Sequence, residues 1–328
     1  MNSFQSVSEV QSIHERLANG LVAATPIPFD EEGKLHETGH QAYLRYMAQQ
    51  PVAGVAVWAH TGRGLMLDGP LAQRVLCDWR DALAGKVIIA GVGSRETISE
   101  KATAGTLQMA DSAARGGADA LLVYPPTWLR GHALADQLII EHHTQVARAG
   151  LPLILFYLYD AAGGIGYSPK VLDELLAMPE VIGIKMATLD SVMTYQDVSR
   201  QVQEKHPQKL FITGEDRFLG YSLRRGAQAA LIGMGAICCD LQTELIRTHT
   251  VGDCNRFLTL SDDVDFLAET IFVRPMEGYI KRLLWGLVHL GVIPLEAAND
   301  PWGPQLPRDE FAKVGRTLKT LALATQEC

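Results

Sequence analysis

Short hydrophobic runs and longer amphipathic stretches alternate along most of this chain, beginning near residue 20. The short runs are apolar or β-branched, and the segments between them have helical periodicity. Such alternation is expected when parallel strands are joined by helices. Eight consecutive units of this kind predict an α/β protein with a closed (β/α)₈ barrel, a TIM barrel. The predicted strands are residues 20–25, 54–58, 86–91, 120–124, 152–157, 181–185, 210–213 and 229–232.

A doubly wound open sheet is the competing architecture for the same pattern. The chain has no G-x-G-x-x-G motif after its first strand, and eight consecutive units favour closure. Helix start signals also follow the strands closely. Thr97 with Glu100 has the spacing of a capping box, and Ser168 followed by Pro169 is typical of an N-cap before a first-turn proline.

The pattern changes after the eighth predicted strand. From about residue 240 the chain gives only helical signals, notably at residues 278–290 and 308–324. We predict a barrel over residues 20–240 and a C-terminal helical bundle over residues 241–328, packed as part of the same unit. Residues 1–19 are predicted to form a helical extension that covers the bottom of the barrel or makes a subunit contact.

The composition is that of a soluble globular enzyme, with 47% hydrophobic and 20% charged residues in a chain of 328. The formal net charge is −8, from 29 basic and 37 acidic side chains, without any block of five like charges. Neither nucleic acid nor a membrane is therefore an expected partner, which favours small molecules. The N-terminus lacks the basic start and apolar core of a secretory signal, so we expect a cytoplasmic protein.

The cysteines and histidines have no spacing that indicates a metal site. The five cysteines include no C-x-x-C pair, and the adjacent His142 and His143 are more typical of a helix face than of metal ligands. We therefore expect neither a disulfide framework nor a bound metal.

Lys185 is the most informative single residue, because it ends the apolar run at residues 181–185. An ammonium group that is buried without a partner tends to lose its proton, so burial lowers the pKa of a lysine. The neutral amine can attack a carbonyl carbon and form a Schiff base, which allows C–C cleavage, C–C formation or loss of water near neutral pH. The alternative is a strand-end lysine whose ammonium group reaches solvent.

Tyr157 closes the predicted fifth strand, which neighbours the sixth in a parallel barrel. Neighbouring strands lie about 5 Å apart, so we expect the phenol of Tyr157 to face the amine of Lys185. A phenol in that place can relay the protons of Schiff-base chemistry, which typically contributes about 10²–10⁴-fold in rate. The alternative is a tyrosine that anchors the barrel rim by a hydrogen bond.

The 28-residue step from Tyr157 to Lys185, with the flanking Ile-Gly-Ile-Lys sequence, resembles the dihydrodipicolinate synthase / N-acetylneuraminate lyase superfamily. The likeness extends from the Leu-Val-Ala-Ala-Thr-Pro segment at residue 21 to the helix predicted at residues 278–290. It implies a (β/α)₈ barrel with a C-terminal helical bundle, in which Lys185 forms a Schiff base with pyruvate or another 2-oxo acid and Tyr157 relays protons. It also implies that no cofactor or metal takes part and that the protein is a homo-oligomer, a tetramer or a dimer.

The loop after the second strand follows the family pattern only in part. The family's Gly-Thr-Thr-Gly-Glu becomes Ala-His-Thr-Gly-Arg at residues 59–63, where Thr61 matches the second threonine and implies a contact with the tyrosine and the substrate carboxylate. The arginine that synthase members carry after the tyrosine is missing, and Ala162 lies in that region. We hypothesise that Arg63 replaces it and that His60 binds a substrate hydroxyl or protonates a departing one. An exposed ion pair on the rim for Arg63 and a structural hydrogen bond for His60 are the alternatives.

Residues near the ends of the last two strands imply further substrate contacts. In the sialate lyase branch the stretch after the seventh strand touches sugar hydroxyls, and Gly214-Glu215-Asp216-Arg217 matches it. Its two acids beside an arginine are suited either to bind a polyol or to pair with each other. Ile232, on the eighth predicted strand, matches an apolar position near the family's lysine. Gly214, Glu215 and Ile232 complete the predicted binding site.

We therefore predict a Schiff-base-forming lyase of the class I aldolase type, which carries out retro-aldol cleavage or aldol addition on a 2-oxo acid or sugar acid. Lys185, Tyr157 and Thr61 are the predicted catalytic residues. One alternative is a 2-oxo-3-deoxy sugar acid dehydratase in which His60 acts as the acid. An alternative of another class is a ligand-binding or scaffold protein that kept the barrel while its site degenerated.

Overall fold

Eight parallel strands pair in chain order, and the last pairs with the first, so that the sheet closes into a barrel. The computed structural model describes residues 7–189 and 191–324 of the chain. The predicted (β/α)₈ barrel is confirmed, and each predicted strand is present within a residue or two of its expected bounds. The strands are β1 Leu21–Ala24, β2 Gly54–Val57, β3 Val87–Val92, β4 Ala120–Val123, β5 Leu153–Leu158, β6 Val181–Ala187, β7 Leu210–Thr213 and β8 Ala229–Ile232.

Helices alternate with the strands, as the hydrophobic pattern predicts. They are α1 Val7–Leu17, α2 Glu37–Ala48, α3 Gly69–Ala82, α4 Ser99–Arg115, α5 Ala135–Val146, α6 Pro169–Ala177, α7 Val192–Lys205, α8 Leu219–Arg224, α9 Cys239–Val251, α10 Cys254–Ile271, α11 Tyr279–His289 and α12 Arg308–Ala324. One helix precedes the barrel, α2 to α9 each follow a strand, and α10 to α12 form a C-terminal helical tail.

The two faces of each strand belong to different layers of the core. Alternate side chains point into the barrel and toward the surrounding helices. On β5, Ile154 and Phe156 pack inside the barrel, whereas Leu153 and Leu155 pack against the outer layer. The pairing of β5 with β6 has an irregularity between Leu153 and Ile154 and then places Phe156 beside Lys185. This register decides which β5 side chain shares the barrel mouth with the lysine.

α1 covers the N-terminal end of the barrel. Ile13 and Leu17 pack with interior residues at the strand starts, such as Val22 and Val87, and Leu17 is completely buried. Burying these aliphatic side chains seals that end from water. The boundaries predicted at residues 19 and 240 for the extension and the barrel stay predictions.

The two predicted helix starts have different outcomes. Ser168 caps α6, because its hydroxyl accepts a hydrogen bond from the Val171 N–H at 3.2 Å. α4 instead begins at Ser99 after Ile98, which provides no side-chain cap, so the capping box predicted from Thr97 is wrong. The spacing of Thr97 suits a cap, but the helix starts one residue later than that spacing requires.

None of the described helices combines the length and the apolar character needed to cross a bilayer. The described residues also contain no group of three or more His, Cys, Asp or Glu side chains placed to hold a metal ion. Within the same part of the chain, four cysteines are free, namely Cys77, Cys238, Cys239 and Cys254.

Candidate active site

Lys185 lies near the carboxyl end of β6 with only 6% of its surface exposed. Its Nζ lies 4.3 Å from the centre of the Phe156 ring, which faces the interior from β5. The lysine stem passes close to the backbone of Gly214, where a Cβ atom would lie 2.7 Å from the lysine Cε. The amine therefore enters the mouth of the barrel, where (β/α)₈ enzymes have their active sites.

Lys185 lines a small pocket that opens to solvent at the mouth of the barrel. Apolar side chains form part of its wall, and the rest consists of groups that can exchange protons or form hydrogen bonds. Residues of the C-terminal tail contribute as well as residues of the barrel. The polar lining residues besides the lysine are His60, Thr61, Tyr159, Glu215, Asp216 and Tyr279.

Burial and two acidic neighbours have opposite effects on Lys185. Loss of water around the ammonium group lowers the pKa of Lys185 below the ordinary lysine value. The negative charges of Asp216 and Glu215 oppose this shift, because a nearby anion favours the ammonium form. Burial has the larger effect, so the uncharged amine is more accessible than in a solvent-exposed lysine.

The two acids follow β7, and backbone N–H groups hold both of them. Oδ1 of Asp216 accepts a hydrogen bond from the Met234 N–H at 2.6 Å, and Oδ2 has a longer one of 3.4 Å from the Gly233 N–H. Burial raises the pKa of Asp216 above that of an ordinary aspartate, although the backbone bonds and Lys185 oppose the shift. A carboxyl group in this state can exchange a proton near neutral pH.

Glu215 is almost fully buried and anchors the loop that follows β6. Its carboxylate accepts hydrogen bonds from the Thr188 N–H at 2.5 Å, the Thr188 hydroxyl at 2.8 Å and the Leu189 N–H at 3.0 Å. Burial still raises the pKa of Glu215 to about 7, against the effect of these donors. Glu215 therefore lines the pocket while its oxygens are bound to the loop.

Glu277, from the tail, connects two predicted site residues, His60 and Arg63, at the edge of the pocket. Its carboxylate lies 2.9 Å from Nε2 of His60 and 2.6 Å from Nη1 of Arg63, and it accepts a hydrogen bond from the Tyr159 hydroxyl at 3.3 Å. Burial would raise the pKa of Glu277, but the hydrogen bonds and charges of His60 and Arg63 outweigh it and lower the pKa to about 2. The group is therefore a carboxylate at neutral pH.

Arg63 is bound to protein carboxylates rather than free for a substrate. Besides Glu277 it contacts both oxygens of Asp300, at 3.2 Å and 2.8 Å, and its side chain is mostly buried. Arg63 does not line the lysine pocket but an adjoining groove, which Ala162 also lines. The structure thus shows an ion pair for Arg63, but a mostly buried one with residues of the C-terminal tail instead of the exposed rim pair that was the alternative.

The hydroxyl groups of Thr61 and Tyr279 are joined by a hydrogen bond of 3.0 Å inside the pocket. Tyr279 begins α11 and stacks on Phe272, with ring centres 4.6 Å apart. Thr61 therefore contacts a tyrosine, but this tyrosine comes from the C-terminal tail instead of β5.

Tyr157 does not face Lys185, and the expected pairing of its phenol with the amine is wrong. Its side chain packs in the outer layer, where its ring lies 6.1 Å from that of Tyr167. In the strand register Tyr157 pairs with Met186, while Phe156 pairs with the lysine. Because strand side chains alternate, a phenol one position further along points to the opposite face.

Ile232 is also on the outer face. It is completely buried, but it packs in the layer between barrel and helices, so the predicted contact near the lysine is wrong. The next residue, Gly233, lines the pocket instead. A Cβ atom at this glycine would lie 3.0 Å from the Tyr279 ring, so its small size makes room for that ring.

Five of the eight predicted site residues line the lysine pocket, namely His60, Thr61, Lys185, Gly214 and Glu215. Asp216 also lines the pocket, as a member of the stretch 214–217 that the sequence matched to sugar contacts. The prediction did not include Phe156, Tyr159, Glu277 or Tyr279, although Tyr159 follows a strand end. Glu277 lies 217 residues after His60, and Tyr279 lies 218 residues after Thr61. No local sequence pattern signals contacts over such a separation.

Fold and pocket together define a (β/α)₈-barrel protein with a buried, titratable lysine at the catalytic end. The sequence profile of the Dihydrodipicolinate synthetase family matches residues 17–321, so the chain belongs to this family. The resemblance drawn from the Tyr157–Lys185 region is therefore confirmed at the level of the family, although the tyrosine itself does not take the expected place.

Two relatives show the range of this family. The 4-hydroxy-tetrahydrodipicolinate synthase of Stenotrophomonas maltophilia is 29% identical over 220 residues, which cover 66% of this chain and 69% of the relative. N-acetylneuraminate lyase 2 of Escherichia coli is 21% identical over 290 residues, covering 87% of this chain and 88% of the relative. The family thus includes both synthases and lyases.

Solved structures of similar fold cover nearly the whole chain. Dihydrodipicolinate synthase from Oceanobacillus iheyensis superposes with a TM-score of 0.81 at 17% identity, covering 96% of this chain and 99% of that one. Ruminococcus gnavus sialic acid aldolase gives a TM-score of 0.81 at 18% identity, covering 95% and 99%. At such identities the likeness supports the fold alone.

Proposed function

We propose that this protein is a lyase of the class I aldolase type, which forms a Schiff base between Lys185 and pyruvate or another 2-oxo acid. The observation that carries the proposal is the buried Lys185 amine, whose pKa burial lowers, in a pocket at the catalytic end of the barrel. A neutral amine attacks the C2 carbonyl, and the resulting iminium withdraws electrons from C3. Membership of a family that includes lyases supports the same chemistry.

The substrate carboxylate has a fitting partner in the linked hydroxyls of Thr61 and Tyr279. One of these hydroxyls donates to the other, which leaves one hydroxyl proton for an acceptor in the pocket. A carboxylate beside the carbonyl carbon is such an acceptor, and hydrogen bonds to charged groups are worth about 1.5–3 kcal/mol. We therefore assign 2-oxo acids, including sugar acids, as the substrate class.

We propose retro-aldol cleavage or aldol addition as the reaction outcome. Dehydration of a 2-oxo-3-deoxy sugar acid is the second candidate, which the position of His60 in the pocket beside Glu277 supports. Product analysis separates the two. Cleavage yields pyruvate and an aldehyde, whereas dehydration yields a dioxo acid that has lost one oxygen.

Borohydride reduction tests the proposed function directly. The protein is incubated with each member of a panel of 2-oxo acids and reduced, and peptides are mapped by mass spectrometry. We expect one stable adduct on Lys185, which is lost in Lys185→Ala and kept in the control variant Lys281→Ala. No adduct with any 2-oxo acid would contradict the proposal and favour a ligand-binding or scaffold protein.

Localisation and assembly complete the proposal. We propose a cytoplasmic protein that forms a homo-oligomer, either a tetramer or a dimer, as the family resemblance implies. Light scattering of the purified protein measures the assembly.

A further inference from the structure

In the Lys185 pocket a phenyl ring lies beside the amine, in the position from which a proton-exchanging group could serve Schiff-base formation. Phe156 lies beside the lysine in the strand register, and its ring centre is 4.3 Å from Nζ. A phenyl ring neither donates nor accepts a proton, whereas forming and breaking an imine requires both steps. Another side chain of the pocket must therefore carry the protons of the proposed reaction.

The two tyrosines of the pocket are poor proton carriers. Tyr279 is fully buried and hydrogen-bonded to Thr61, and Tyr159 donates its hydroxyl proton to Glu277. Burial raises the pKa of both phenols above the ordinary tyrosine value. A phenol whose phenolate is disfavoured in this way is a poor base near neutral pH, so the two hydroxyls suit binding better than proton transfer.

His60 and Glu215 are held by other partners. Nε2 of His60 lies 2.9 Å and 3.2 Å from the two carboxylate oxygens of Glu277. Glu215 uses one oxygen for both donors of Thr188 and the other for the Leu189 N–H. Moving either group toward a substrate would break these bonds and leave buried polar atoms without partners.

Asp216 has none of these restrictions. It is 7% exposed, and its Oδ1 is fixed by the Met234 N–H at 2.6 Å, which orients the carboxyl group. Its Oδ2 has a long 3.4 Å contact with the Gly233 N–H, and the Asp216 N–H also donates to the carboxyl group. A carboxylate oxygen with so long a contact keeps lone-pair capacity for a substrate proton. Among the acids that act on the charge of Lys185, Asp216 has the larger effect.

We propose that Asp216 is the proton carrier of the Lys185 site, in place of a phenol on β5. This inference rests on the proposed Schiff-base function and names the acid and base of that reaction. Oδ2 is the oxygen that exchanges the proton, and the Met234 N–H keeps the carboxyl group in position throughout.

The proton balance closes over one turnover. The neutral Lys185 amine adds to the C2 carbonyl of a 4-hydroxy-2-oxo acid, and its proton passes to the new oxygen. The carboxylic acid of Asp216 protonates that hydroxyl, which leaves as water, so that an iminium and an Asp216 carboxylate remain. The carboxylate accepts the C4 hydroxyl proton as the C3–C4 bond breaks, which releases an aldehyde and leaves an enamine.

The same group completes the cycle. Asp216 returns the proton to C3 of the enamine, and the resulting iminium of pyruvate is attacked by water. The Asp216 carboxylate accepts a proton from this water, and collapse of the adduct releases pyruvate and the neutral Lys185 amine. The net reaction is one 4-hydroxy-2-oxo acid converted to pyruvate and an aldehyde.

Asp216→Asn is the central test, because the amide oxygen can still accept the Met234 N–H while the group can no longer exchange protons. With a 4-hydroxy-2-oxo acid that the wild type cleaves, we expect kcat to fall about 10²–10³-fold with little change in KM. The limb of the kcat–pH profile that reports ionisation of this acid should disappear. Asp119→Asn is the matched control, because Asp119 accepts a backbone N–H from Ile88 at 2.7 Å, away from the pocket.

Restoring a phenol gives an independent readout. Phe156→Tyr in the Asp216→Asn background places a hydroxyl on the ring beside the amine, and we expect it to recover at least about tenfold in kcat. An Asp216→Asn protein with wild-type kcat and pH profile would overturn the inference. Should this variant not fold, Asp216→Glu decides, since an unshifted pH limb with that longer acid would also overturn it.

The outcomes for function and inference are distinguishable. If the wild type gives no borohydride adduct, the proposed function itself fails. If the adduct forms on Lys185 but Asp216→Asn changes neither kcat nor its pH dependence, the Schiff base stands and only the role of Asp216 fails.

Discussion

At the scale of single residues, the reactivity of this pocket depends on how tightly the lysine stem is enclosed. Lys185 is held between the Phe156 ring and the backbone of Gly214, and both contacts exclude water from the amine. Exclusion of water lowers the pKa of Lys185, so the nucleophilicity of the amine depends directly on how the lysine stem is packed. A change that displaces the stem should therefore alter the chemistry as well as the stability.

Gly214→Ala should displace the lysine. The new Cβ would lie 2.7 Å from the lysine Cε and 2.7 Å from the Met186 carbonyl oxygen, and neither β6 backbone nor a buried stem moves freely. Overpacking of this kind costs about 1–3 kcal/mol. We expect a lower denaturation midpoint and at least tenfold slower trapping of pyruvate by borohydride.

Gly69→Ala is the control for this prediction. A Cβ atom at Gly69 meets no atom within 4 Å, so the same chemical change adds no clash. We expect stability and trapping close to those of the wild type. Equal trapping rates in the Gly214→Ala and wild-type proteins would show that the stem does not depend on the glycine.

At the scale of elements, the pairing of β5 with β6 explains why the 28-residue step from Tyr157 to Lys185 led to the wrong residue beside the lysine. Counting places Tyr157 at the strand end, and the family resemblance assigns it the relay role. The irregularity between Leu153 and Ile154 shifts the pairing, so the residue opposite Lys185 is Phe156. A shift of one residue exchanges the two faces of a strand, and no single-strand pattern reveals it.

Of the two helix caps predicted from sequence, the one at Ser168 is confirmed, and it gives a prediction. Ser168→Ala removes the acceptor of the Val171 N–H at the start of α6. We expect a loss of about 1 kcal/mol, seen as a lower denaturation midpoint, with unchanged trapping at Lys185. Thr97→Ala is the comparison, because Thr97 does not cap α4 and its loss should leave the midpoint unchanged. Equal midpoints for both variants would contradict the assigned caps.

At the scale of the whole molecule, ion pairs of Arg63 join the barrel to the tail. Arg63 belongs to the loop after β2, whereas Glu277 and Asp300 belong to the C-terminal tail. The side chain of Asp300 is 1% exposed and that of Arg63 is 10% exposed, so water screens this contact poorly. The same tail supplies Tyr279 to the pocket, which makes the site depend on how the tail docks.

Asp300→Ala should uncouple this contact. It leaves the Arg63 guanidinium buried with half of its partners, and breaking a buried pair on one side costs about 3–5 kcal/mol. We expect a lower denaturation midpoint together with weaker binding of 2-oxo acids, because Tyr279 is displaced.

The double variant Arg63→Met/Asp300→Ala controls for the buried charge. It removes both partners, so we expect its stability to lie above that of Asp300→Ala. If Asp300→Ala is as stable as the wild type, the contact does not couple tail and barrel. If the double variant loses the sum of both single changes, the two groups act independently.

The sequence by itself determined the barrel, its eight strands, the helical tail and the lysine, because each is written in a local pattern. The spacing of hydrophobic residues distinguishes strands from helices, and a lysine at the end of an apolar strand is expected to be buried once that strand packs into a sheet. The tertiary structure alone decided what surrounds the amine. Strand register turned Tyr157 and Ile232 outward and brought Phe156 inward, and docking of the tail brought Glu277 and Tyr279 to His60 and Thr61. These contacts depend on pairing and packing between distant segments, whose energies no local stretch of sequence contains.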